Sequence, residues 1–148
     1  MDFTSFGLVG LFLASFLAAT ILPFSSEIIL VFFLTQGINP WLCYTLALTG
    51  NVLGGATNFW IGKMGNPIWL KKLGVSEKTI VKRQHWVEKQ GAFLAFFSWV
   101  PIIGDPLLVV LGFFKSNIYK THFWMIIGKA LRYVIIVFGY LNWFKEFF

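Results

Sequence analysis

The chain has 148 residues, of which 57% are hydrophobic and 12% charged, with a net charge of +6. A soluble domain of this size carries roughly 25% charge, so the composition excludes one and describes an integral membrane protein. The basic residues crowd beside apolar runs instead of alternating over a polar surface, which speaks against nucleic acid as a partner and for anionic lipid headgroups as counterions.

Met1-Asp2-Phe3 lacks the basic region of a cleavable signal, so the first apolar segment is expected to stay in the mature protein. Phe3 to Leu34 is 32 residues with one charge. That is too long for one upright span of ~20 residues and too short for two spans with a turn. Pro23-Phe24-Ser25-Ser26-Glu27 interrupts it. Proline removes a backbone donor and the serines satisfy freed backbone groups, which predicts a break at Pro23 and a re-entrant hairpin with Ser25 and Ser26 lining a cavity. Gln36 to Pro40 predicts a turn, and Trp41 to Gly62 an uncharged span of 22 residues. Within that span Asn51 is expected to line the cavity, Asn58 to bond between helices, and Gly50, Gly54, Gly55 and Gly62 to serve close packing. Cys43 is the single cysteine, which excludes an intrachain disulfide and reads as packing.

From Gly62 to Lys89 the character changes, with Lys63, Lys71, Lys72, Lys78, Lys82, Arg83 and Lys89 opposed only by Glu77 and Glu88. Ser76 is the expected N-cap of an amphipathic helix with Lys78, Lys82 and Lys89 on one face and Ile80, Gln84 and Val87 opposite. Such a helix lies on a membrane surface. Gly91 to Phe114 predicts a second hairpin, broken around Pro101, Gly104 and Pro106, and Thr121 to Asn142 a second span with Lys129 and Arg132 near its centre. His85 and His122 lack ligand spacing and are expected at the surface, with no metal and no cofactor.

The two halves repeat. The differences 101 − 23, 105 − 27 and 128 − 50 all equal 78, aligning Pro23 with Pro101, Glu27 with Asp105 and Gly50 with Gly128. Repeat one runs over about 3–62, the connector over about 63–90 and repeat two over about 91–142, forming one membrane domain. If 91–114 re-enters, Lys115 and Lys120 join the connector's side, giving nine basic residues there. That places the connector in the cytoplasm and, with one full crossing per repeat, inverts one half relative to the other; if Phe3 to Leu22 spans instead, the N-terminus changes side and the symmetry is imperfect. The fold class expected is therefore all-α integral membrane: an inverted repeat of re-entrant hairpin plus transmembrane helix, joined by a basic amphipathic connector.

A carboxylate at bilayer depth costs ~2.5–3.5 kcal/mol on insertion scales, so Glu27 and Asp105 are candidates for proton exchange. Arg132, whose planar fork makes two parallel hydrogen bonds, is the candidate for a phosphate, with Lys129 one turn away. The alternative is that these cations only neutralise the acids and hold the halves together. No nucleophile elbow, HExxH motif or P-loop is present, so no enzyme is expected.

The Pro23-to-Glu27 break, Gly50-Asn51…Gly54, Phe59-Trp60-Ile61-Gly62-Lys63-Met64-Gly65, Phe97 through Pro101 to Gly112, and Gly139-Tyr140 together resemble the DedA family, also called the SNARE-associated or VTT-domain family, in its short two-repeat branch. The resemblance implies a bacterial inner-membrane, multi-pass protein with two opposed re-entrant loops that moves lipids such as undecaprenyl phosphate or phospholipids, with proton coupling. Ser98 and Gly104 stand where many members carry arginines, so a phosphate-binding role does not carry over to those two positions, and Asn51 stands where a carboxylate is common. The resulting expectation is a lipid transporter or scramblase. A small proton-coupled cation exporter and a non-transporting scaffold are the alternatives, and a homodimer is one arrangement that would enlarge the enclosed space.

Overall fold

The computed structural model describes residues 3–20, 26–100, 103–144 and 146. Six α-helices follow in order: α1 (Phe3–Thr20), α2 (Ser26–Thr35), α3 (Pro40–Met64), α4 (Glu77–Gln90), α5 (Gly104–Phe113) and α6 (Ile118–Gly139). 3₁₀ helices occupy Pro67–Leu73 and Gly91–Trp99, and a π turn at Tyr140–Phe144 ends α6. No strand occurs among the described residues. The expected breaks at Pro23 and Pro101, and Ser25, lie outside the described residues.

The offset of 78 reappears in the elements themselves. Helix α2 covers 26–35 and α5 covers 104–113, while α3 begins at 40 and α6 at 118. The turns between them match as well. Gly37 and Lys115, 78 apart, are both left-handed, at φ 75° and 59°. Two residues further on, Asn39 Oδ1 accepts from the Trp41 amide at 2.9 Å, and Asn117 Oδ1 from the Lys120 amide at 3.0 Å. An asparagine oxygen satisfies an amide that a helix start leaves without a partner, so both helices are entered through the same kind of cap. Proline follows as the first residue of α3, where its missing donor costs nothing.

Two expectations are corrected. Pro106 does not break a helix but sits in the first turn of α5, where no intrahelical bond is lost. Gly104 is the first residue of α5, and a Cβ there would collide with the Ser98 carbonyl. His122, expected at the surface, is half-buried: its Nδ1 donates to the Ile118 carbonyl at 2.7 Å and its ring meets Phe59 edge-on at 5.1 Å.

Contacts divide the chain into two units, Met1–Gly54 with Lys129–Phe148, and Gly55–Gly128. In the first unit α1 packs on α2. Leu11, Leu30, Leu34, Cys43, Ala47, Tyr133 and Val137 form its core. In the second, α5 packs on the Gly91–Trp99 helix, and α4 packs on both 3₁₀ helices, burying Ile80 and Val87. Ser76 caps α4 as expected, accepting from the Thr79 amide at 3.3 Å.

Lipid tails are as apolar as Leu, so helix association inside a bilayer depends on close van der Waals contact. The glycines supply it. A Cβ on Gly50 would strike the Phe12 carbonyl, one on Gly62 the Val109 carbonyl, and one on Gly112 the Phe59 carbonyl. By length and hydropathy, Ile118–Trp143 is the one clear crossing helix among the described residues, with shorter apolar helices at Ser5–Thr20, Ser26–Thr35 and Gly104–Phe113. At 25 residues α3 is long enough to cross, but its Thr, Asn and Gly residues lower its apolarity below that of α6.

Candidate functional site

The short helix α2 places Ser26 and Glu27 in its first turn, where a carboxylate is favoured by the helix dipole. Helix α6 answers with two consecutive residues. Arg132 Nη2 pairs with Glu27 Oε1. Tyr133, fully buried, shares a hydrogen bond of 2.5 Å between its hydroxyl and that of Ser26. Both ionic side chains are largely withdrawn from solvent, at 11% exposure for Arg132 and 25% for Glu27, so the pair is protected from screening. The Arg132 Nε is buried and makes no hydrogen bond.

One turn before Arg132 on the same helix, the Lys129 side chain is completely buried. Its ammonium donates to Asn51 Oδ1 at 2.5 Å and to the Asn51 carbonyl at 3.3 Å. The amide group of Asn51 in turn donates from Nδ2 to the Ser15 carbonyl at 3.3 Å, tying α1, α3 and α6 together. Close approach by Gly50 and Gly54 to the backbone of α1 is what brings Asn51 into this position. Asn51, expected to line a cavity, is therefore a buried ligand of an ammonium group.

The first unit thus gathers Ser26, Glu27, Asn51, Lys129 and Arg132. Asp105 occupies in α5 the place that Glu27 occupies in α2, half-buried in the first turn, and belongs to the second unit with Gly104 and Pro106. Sequence reasoning missed Tyr133 as the partner of Ser26, and it missed Asn51 as the acceptor for Lys129. For Tyr133 no local signal existed, since the residues are 107 apart. For Lys129 the signal was present in the repeat: Asn51 and Lys129 are separated by 78. No group of three or more potential metal ligands occurs among the described residues.

The VTT domain profile matches residues 22–141, most of the chain. The chain belongs to the VTT-domain family. Relatives of this VTT-domain protein include the inner membrane protein YqaA of Escherichia coli and that of Shigella flexneri, each 38% identical over 130 residues, covering 87% of this chain and 87% of theirs. A Haemophilus influenzae protein described only as uncharacterized is 26% identical over 136 residues, covering 86% of this chain and 83% of its own. No solved structure matches. The family is one of lipid-handling membrane transporters and not of enzymes, and the YqaA relatives are named as inner membrane proteins.

Proposed function

We propose that the protein moves a phosphate-bearing lipid, a polyprenyl phosphate or a phospholipid, across the inner membrane through two inverted broken-helix repeats, with proton coupling. The observation that carries this reading is the Glu27–Arg132 pair at the start of α2, with one buried nitrogen of the guanidinium still unpartnered. A phosphate arriving there gains a donor that the protein leaves unused, and protonation of Glu27 frees the rest of the fork. Lys129 adds positive charge one turn away, and Ser26 adds a hydroxyl. Asp105 performs the same exchange from α5.

Recurrence of the helix starts, caps and left-handed turns at one offset supports two copies of one unit. Crowding of basic residues in and around the connector supports a cytoplasmic connector and, with it, an inverted arrangement. Lipids and protons are the partners in this reading, and a homodimer is the assembly to seek by crosslinking in membranes. A cation exporter fits less well, because Glu27 is already neutralised by Arg132. Reconstitution in vesicles, following labelled lipid between leaflets, tests the proposal. Wild type should exchange lipid, and a Glu27→Gln, Asp105→Asn double variant should be at least about tenfold slower, equivalent to ~1.4 kcal/mol of barrier. Equal rates would remove the carboxylates, and no exchange by folded wild type would leave the scaffold reading.

A further inference from the structure

The connector presents a surface that lipid transport does not use. Helix α4 turns Ile80 and Val87 inward, which leaves Lys78, Lys82, His85 and Lys89 as a stripe on its outer side, all exposed. The acids near this stripe are already engaged. Glu77 pairs with Lys71 at 3.0 Å, and Glu88 Oε1 accepts from Gln84 Nε2 at 3.3 Å. By contrast, Lys72, Lys78, Lys82, Arg83 and Lys89 have neither an ion pair nor a hydrogen bond from their side chains among the described residues. Along the margins of the stripe stand exposed apolar groups, Val81 at 60% and Trp86 at 46%, and Leu73 at 79% ends the preceding 3₁₀ helix.

We propose that this outer face of α4 docks on the anionic phosphate headgroups of the adjoining lipid leaflet, as a site separate from the one at Arg132. Charge complementarity selects the occupant. Unpaired ammonium and guanidinium groups need a polyanion, and the chain holds α4 only a dozen residues from the end of α3, so the headgroup layer is the polyanion at hand. Tryptophan and valine beside lysine fit the boundary between headgroups and acyl chains, whereas a nucleic-acid surface would leave them exposed to water. Docking pins the connector to the membrane and enriches anionic lipid next to it.

The test uses the full-length protein in nanodiscs of phosphatidylcholine alone and of phosphatidylcholine with phosphatidylglycerol, read by hydrogen exchange of residues 77–90. Anionic discs should slow exchange roughly tenfold relative to neutral ones, and high salt should abolish the difference. A Lys78→Gln, Lys82→Gln, Lys89→Gln variant, whose changes lie on an exposed face, should lose the protection while residues 118–139 exchange as in wild type. Equal exchange in both discs, or full protection in the triple variant, overturns the proposal. So does protection of neutral discs by an added RNA oligonucleotide without any effect of phosphatidylglycerol. The readout is exchange and not flux, so failure of the transport proposal would leave this result standing.

Discussion

Lys129 Nζ lies 2.5 Å from Asn51 Oδ1, and these residues hold the same position in the two halves of the chain, 78 apart. Equivalent residues of a repeat touch only near the operation that relates the copies, so this contact marks the place where the α3 and α6 helices approach each other as counterparts. It also places an ammonium group against a neutral amide.

That pairing ties the buried cation to the Asn51 side chain. Asn51→Leu should destabilise the protein by about 1.5–3 kcal/mol, the scale for a buried charged group that loses one hydrogen bond. Asn51→Asp should cost far less, and Asn51→Leu combined with Lys129→Met should recover much of the loss. Thermal unfolding in detergent followed by size-exclusion chromatography checks all three, and additive losses in the double variant would refute the coupling.

Tyr133→Phe removes the hydroxyl shared with buried Ser26 and should cost about 1 kcal/mol. Ser26→Ala should cost a similar amount, and the two together little more than either. The same unfolding assay reads the result, which bears on how firmly α6 holds the first turn of α2.

The left-handed turn before α6 has a lysine where its counterpart has glycine. Lys115 Nζ donates to the Gly65 carbonyl at 2.8 Å and to the Lys63 carbonyl, capping the C-terminus of α3 with positive charge. Lys115→Met should therefore lose ~1–2 kcal/mol of stability, combining lost hydrogen bonds with an unchanged backbone cost. Lys115→Gly should lose less, because glycine relieves about 1 kcal/mol of left-handed strain. A larger loss for glycine than for methionine would contradict this balance.

Glycine substitutions should separate by position. Gly62→Ala drives a methyl into the Val109 carbonyl and should cost about 1–3 kcal/mol, whereas Gly10→Ala and Gly139→Ala meet open space and should be neutral or stabilising by ~0.5–1 kcal/mol. Expression level and thermal midpoint distinguish the groups.

Much of this was legible in the residues. Apolar run lengths, the Ser76 cap, the faces of α4 and the 78-residue offset came from local pattern, because each is set within a few residues of chain. Pro106 was misjudged because a proline stops a helix only beyond its first turn, and α5 begins two residues earlier than a breaker would allow. His122 was misjudged because its neighbour Phe59 is distant in sequence. At the candidate site, the types of residue were readable but not their partners. Glu27 was expected to meet Arg132 or Lys129; Arg132 pairs with it and Lys129 bonds Asn51, relations between distant residues that packing determines.

The Asn51–Lys129 contact also says something about ancestry and engineering. Two identical half-length chains meeting at this point would oppose either two amides or two ammonium groups, and the second arrangement would repel itself without solvent. Only unlike copies set one cation against one amide, so splitting this polypeptide and pairing its second half with itself should fail at Lys129.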